Sequence, residues 1–349
     1  MSDNTSNSNL TFCDVEVTSG LKLILLSCGA ALAVLGSACN LLLFIVFVYR
    51  PRRCSTLYYK VLALLDLLLC LTYIWMFVLP KLAVAYRIAF LYHMVWDTNI
   101  YVYTLGRTTQ CAIPYIIIAS TAERLTFITH KSSVNDRGIG RALIVTLLLI
   151  VIVGVRVPSL WAMQLTTVVG CDLFESKYLS TTSLINNETY KTFDIVVNFL
   201  HIIASFLILT FLNGIIIAKL QRIHLAVRKQ RTLLNPRSLL QERALVFDEG
   251  RTERRRLRVA IKTSIVIISA YLACNSLHFC LFLVEQFNPA LLIDETGFNF
   301  TWTYAILCDI VTILFVVSST IRLPIYYNYN PDIRAQIRSL FSNDKKERN

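Results

Sequence analysis

The chain has 349 residues, a formal net charge of +12, and only 16% charged against 55% hydrophobic residues. A mean hydropathy of +0.58 is too apolar for a water-soluble surface, so most of the chain must meet lipid. The charge alone could suggest nucleic acid, but no stacking platform or finger motif accompanies the basic residues, and that class is set aside.

The first twenty residues are polar, rich in Ser, Asn and Thr, and lack the short apolar core of a cleavable signal peptide. The first helix is therefore expected to act as its own insertion signal. A bilayer core of about 30 Å needs roughly 20 mostly apolar residues per helix. Seven stretches qualify: Leu21–Val48, Leu57–Val78, Thr98–Phe127, Ala142–Met163, Phe193–Ala218, Val259–Glu285 and Phe300–Tyr326. Each is expected to be helical throughout, because lipid cannot satisfy an irregular backbone. After them, Asn330-Pro331-Asp332 opens a capping pattern, and alternating apolar and basic positions to Phe341 predict an interfacial helix.

The fold class this predicts is an all-α membrane protein, a seven-transmembrane-helix bundle with a short amphipathic eighth helix. Residues 1–20 form an extracellular tail and 21–327 the bundle, including a cytoplasmic loop at 223–257. Residues 328–349 form the amphipathic helix and cytoplasmic tail. The loop is read either as solvated chain anchored by Arg254-Arg255-Arg256 or as a docking surface for a cytosolic partner.

Two independent signals set the orientation. With the N-terminus outside, 27 of the 34 Lys and Arg residues fall on inner segments. The N-x-S/T sequons at Asn4, Asn9, Asn187 and Asn299 all fall on outer ones and are candidate glycosylation sites. The expected location is the plasma membrane, multi-pass, with the inner basic residues facing membrane lipid and cytosolic partners. On this topology only Cys13 and Cys171 of the ten cysteines are plainly outside, which predicts a bridge between them, with Cys308 as a competing partner.

Ionisable side chains inside a bilayer helix cost a few kcal/mol each and need a reason. Here they are Asp66, Arg107, Glu123, Arg124, Arg156, Asp309 and Arg322, with Asn40 beside them as a polar group. The five histidines have no metal-ligand spacing, and no phosphate loop, nucleophile elbow or catalytic carboxylate pair is present. Neither metal nor cofactor is expected, and the chain is not read as an enzyme.

Several of these positions carry a resemblance to rhodopsin-like (class A) G-protein-coupled receptors, over nearly the whole chain. Asn40 in Cys39-Asn40-Leu41 resembles the family's helix-one asparagine, and Leu62-Ala63-Leu64-Leu65-Asp66 its LAxxD on helix two. Glu123-Arg124-Leu125 stands where the family has an acidic-Arg-Tyr motif. Within the family the chain is most similar to the FMRFamide-receptor-like branch of invertebrate peptide receptors. That likeness rests on Tyr103-Thr104-Leu105-Gly106-Arg107-Thr108-Thr109-Gln110, on Phe206 to Asn213, and on Val316-Val317-Ser318-Ser319-Thr320-Ile321-Arg322-Leu323-Pro324-Ile325-Tyr326.

The resemblance implies an extracellular ligand, first of all an FMRFamide-like neuropeptide, and a heterotrimeric G protein as partner. It implies that Glu123, Arg124 and Tyr326 form the coupling switch, the arginine being held at rest by its acidic neighbour. Asn40, Asp66 and Arg322 would form the polar core. The outer halves of the helices offer Tyr103, Arg107, Gln110, His201, His278, Glu285 and Asp309 as ligand contacts; the histidines could equally be ordinary polar packing. Arg107 is read either as bridged to Asp309 or as a clamp for an acidic group. A cationic amidated peptide would want Asp309 or Glu285, whereas an acidic small molecule such as an ascaroside pheromone would want Arg107.

The departures also matter. Asn99 replaces the helix-three cysteine, Ser205 the helix-five proline, Leu277 the helix-six proline and Asn275 the helix-six tryptophan, putting the usual kinks in question. Arg322 replaces a helix-seven asparagine, and Ile113 a serine, at the place where relatives hold sodium. An Asp66–Arg322 ion pair in its stead is the expectation, against Arg322 snorkelling beside Tyr326. Two further readings stand beside the receptor: a decoy or scaffold that has lost coupling, and a transporter or channel, which would show inverted symmetry, broken helices or a continuous polar stripe.

Overall fold

A computed structural model describes residues 20–49, 57–129, 138–233, 247–292 and 301–346, which are almost wholly helical. Helix α1 is Gly20–Tyr49; α2 (Leu57–Tyr73) runs through a π-helical turn at Ile74–Val78 into α3 (Leu79–Ala85). Helix α4 is Ala89–Thr129, followed by α5 (Gly138–Arg156) and the short α6 (Ser159–Ala162). Helix α7 (Glu188–Phe199) passes through a second π turn, Leu200–Ala204, into α8 (Ser205–Leu233). Last come α9 (Phe247–Phe287), α10 (Trp302–Thr320), α11 (Arg322–Tyr329) and α12 (Pro331–Lys346).

Among the described residues six helical segments are long and apolar enough to cross a membrane: Gly20–Tyr49, Leu57–Ala85, Ile139–Ala162, Glu188–Lys219, Ile261–Phe287 and Trp302–Tyr329. The chain is thus an all-α protein of the multi-pass membrane kind. Its outward faces are apolar, with Leu143, Leu147, Ile150 and Val151 of α5 all more than half exposed, as suits a helix solvated by lipid. Helix α4 is not among the six, because Arg107, Gln110, Glu123, Arg124 and several threonines dilute its hydropathy. Yet it is the central element, packed on α2, α3, α5, α8 and α9.

Close approach of α1 to α2 and α10 depends on a missing side chain. A Cβ on Gly36 would stand 2.5 Å from Thr320 Oγ1 and 2.8 Å from Cys70 Sγ. The Gly36 carbonyl instead accepts from Asn40 Nδ2 at 3.0 Å, and the same amide reaches the Ser319 carbonyl at 3.3 Å. Around α4 the middle of the bundle holds an apolar cluster that includes Ile113, Ile116, Leu209, Ile268 and Phe315.

Several expectations are corrected. The second and fifth spans are helical throughout, as expected, but each includes a π turn, which keeps its backbone hydrogen-bonded while inserting an extra residue. The third begins at Ala89, nine residues before the expected Thr98. The fourth stops at Arg156 because the Val157-Pro158 step cannot continue an α-helix. Met163 opens a strand instead. That strand, β1 (Met163–Thr167), pairs antiparallel with β2 (Lys177–Thr181) in the register Leu165↔Leu179. The hairpin is pinned to α4 by Lys177, whose backbone N donates to Tyr92 Oη at 3.1 Å and whose Nζ reaches Asp97 at 2.6 Å.

At the other end of the bundle Asn330 Oδ1 accepts from Asp332 N and Ile333 N, starting α12. Ile333 and Ile337 of α12 bury against Phe47 and Tyr326. Cys13, Asn4, Asn9 and Asn299 lie outside the described residues. Cys308, the competing disulfide partner, is a free thiol, whereas Cys171 is not among the free thiols.

Candidate functional site

Three polar groupings lie along the bundle. At the hairpin end, α4, α7, α9 and α10 enclose a cavity of ≈ 420 Å³. Its wall includes Arg107, Gln110, His201, His278 and Glu285, five of the seven residues expected to contact a ligand. Tyr103 lines a neighbouring chamber of ≈ 200 Å³, which shares Arg107 and Gln110 with the first. Asp309 lines neither. The bridge from Arg107 to Asp309 is replaced by contacts to α7, with Arg107 Nη2 donating to Asn198 Oδ1 at 3.1 Å and lying 3.9 Å from Asp194.

The same Asn198 oxygen also accepts from Arg156 Nη1 at 3.1 Å, so two guanidiniums converge on one neutral carbonyl. Asn198 is oriented for this because its Nδ2 donates to Asp194 Oδ2 at 2.9 Å. Arg156 is only 3% exposed, and its Nε has no hydrogen-bond partner. His201, also buried, has an unpartnered Nδ1, and its ring lies 6.4 Å from that of His278. Glu285 is engaged by Tyr304, whose hydroxyl donates to Oε1 at 2.8 Å.

Sequence reasoning placed Arg156 in the outer half of its helix without a partner, and missed Asp194, Asn198 and Tyr304. A signal was present: Asp194, Asn198 and His201 recur at helical spacing in an otherwise apolar stretch, a polar stripe about two turns long.

Deeper, Asp66 and Arg322 form a buried ion pair, their side chains 1% and 2% exposed. Asp66 Oδ1 also accepts from Ser319 Oγ at 2.9 Å. Arg322 therefore does not snorkel. It begins α11 after the α10 helix ends at Thr320, and this break turns its long side chain inward. Arg322 Nη2 and Asn40 Oδ1 remain without partners in this core.

At the end opposite the hairpin, Arg124 is 9% exposed, with its guanidinium 5.1 Å from the Tyr59 ring centroid. Tyr59 packs edge-on against Tyr326, which also meets Phe47. A small cleft beside Arg124 is lined by Ser120, Thr121, Ser264 and Tyr326, whose buried hydroxyl has no partner. Glu123, the expected partner of the neighbouring arginine, is turned to Arg141 of α5 at 2.5 Å. The two residues are adjacent on a helix and so point about 100° apart, which lets α5 claim the carboxylate.

Neither protein-family models nor curated protein sequences yield a match to this chain. The functional reading therefore rests on residues and geometry.

Proposed function

We propose that the chain is a rhodopsin-like G-protein-coupled receptor of the plasma membrane, with its N-terminus outside and α4 as the third of seven crossings. On this reading the hairpin end faces outward and α12 is an eighth helix lying on the inner membrane surface. The observation that carries the reading is the placement of two polar sites on one central helix. Arg107 in the cavity and Arg124 in the opposite cleft are seventeen residues apart on α4, about 25 Å along its axis. Between them α4 packs through the apolar cluster that holds Ile113, Ile116 and Phe315.

With Asp66 and Arg322 closed on each other in the core, that arrangement supports a receptor over a transporter, whose path would need polar groups open to it. An occupant of the outer cavity acts by favouring one packing of the bundle, and the inner cleft beside Arg124 is where a heterotrimeric G protein reads the difference. The Cys13–Cys171 bridge and the glycans belong to the same proposal. The family resemblance favours a neuropeptide, while the paired guanidiniums favour a ligand with an acidic group.

The test is Arg124→Ala in cells carrying a promiscuous G protein. Signalling, including any ligand-independent level, should be abolished while surface expression is kept. Signalling at the wild-type level would overturn the assignment and favour a decoy or a transporter.

A further inference from the structure

We propose that the cavity takes an anionic amphiphile: a carboxylate or phosphate head held by Arg107 and Arg156, and an apolar body lodged in the adjoining chamber. The inference deepens the receptor reading and rests on it for access from outside. It starts from a buried arginine with no carboxylate of its own, although the cavity wall holds two of each charge. Among the described residues Arg156 makes no ion pair, and its one hydrogen bond to an oxygen is shared with Arg107 at Asn198. A buried guanidinium facing a neutral amide leaves most of its charge unanswered, which is costly in a low-dielectric site.

Neither nearby carboxylate forms an ion pair with Arg156. Asp194, 41% exposed, sits beside Arg107 and takes the Asn198 amide, while Glu285 receives the Tyr304 hydroxyl. The unpartnered Arg156 Nε and His201 Nδ1 are buried polar groups at the same cavity. An oxyanion would supply the acceptors for two guanidinium forks at once.

The second chamber sets the rest of the ligand. It opens on the far side of Arg107 and Gln110 and is lined by Leu69, Tyr73, Met76, Phe77, Phe315 and Val316. Gly106 forms part of its wall, and a Cβ there would meet only Thr72, at an ordinary 3.7 Å. The absent side chain leaves that part of the chamber open to a ligand. A head at the arginines and a tail past Gly106 fits both spaces with one molecule.

The test uses the full chain in lipid nanodiscs, reading thermal midpoint against concentration of 6-phenylhexanoate, its methyl ester, 6-phenylhexyl phosphate, phenylacetate and a cationic amidated tetrapeptide. The acid or the phosphate should raise the midpoint saturably and the ester should not, and whichever anion binds tighter identifies the head. Phenylacetate should bind more weakly than 6-phenylhexanoate, and Gly106→Leu should remove that difference by filling the chamber. Arg156→Gln should weaken the anion about ten- to hundredfold, as expected for losing one charge-assisted contact. Equal shifts from acid and ester, or affinity unchanged in both Arg156→Gln and Arg107→Gln, would overturn the proposal. So would stabilisation by the cationic peptide alone. Should Arg156→Gln fail to fold, the acid and ester comparison on the wild-type chain decides. Because binding is read without a G protein, failure here leaves the receptor reading to its own test at Arg124.

Discussion

Asp66 and Arg322 have each been taken almost wholly out of solvent, and each is tolerable there only because of the other. The desolvation of two buried charges offsets much of their attraction, so the pair contributes little net stability, while a lone survivor is expensive. Asp66→Ala or Arg322→Ala alone should cost about 3–5 kcal/mol, and the double variant less than either. Surface expression and thermal midpoint across the four-member cycle measure this; additive losses would contradict it. In the receptors the chain resembles, a sodium ion sits at this aspartate. A covalently attached guanidinium cannot be washed out, so replacing sodium by choline should leave the thermal midpoint of this chain unchanged.

At the scale of elements, one of the two π turns falls where the resemblance led us to expect a proline. Ser205 stands where a proline was expected, and the residues just before it, Leu200–Ala204, form a π turn whose end is tied by the Ser205 hydroxyl to the His201 carbonyl. The extra residue in such a turn rotates everything beyond it by about 100° relative to an unbroken helix. This rotation lets Asn198 face Arg107 and Arg156 while Ser205 and Leu209, beyond the turn, stay buried in the bundle. Deleting Ile203 should restore α-helical register and swing Asn198 away from the arginines. Surface expression should persist, and affinity for whichever anion the wild-type chain binds should fall. Unchanged affinity would show that the turn does not set the site.

For the whole molecule, the decisive question is which end faces outward. Asn187, exposed at the hairpin end, uses Oδ1 to cap α7 by accepting from Thr189 N at 2.9 Å. Glycosylation there uses the amide nitrogen and leaves that acceptor in place, so cap and glycan are compatible. Cell-expressed chain should lose mass on deglycosylation, and the Asn187→Gln variant should lose less. An unglycosylated Asn187 together with labelling of Cys54 by an impermeant maleimide on intact cells would reverse the orientation.

Apolar runs, basic-residue placement and helical spacing were enough to determine a helical membrane bundle, because lipid imposes length and internal hydrogen bonding on any segment that enters it. The same reasoning singled out Asp66 and Arg322 as charges in need of partners. Tertiary structure alone decided which partners were taken. Arg107 turned to Asn198 instead of Asp309, Glu123 to Arg141, and Arg156 to the same amide oxygen as Arg107. The π turn after Asn198 bears on the first and third of these, and the offset of about 100° between Glu123 and Arg124 on the second. A hydropathy profile does not record that rotation.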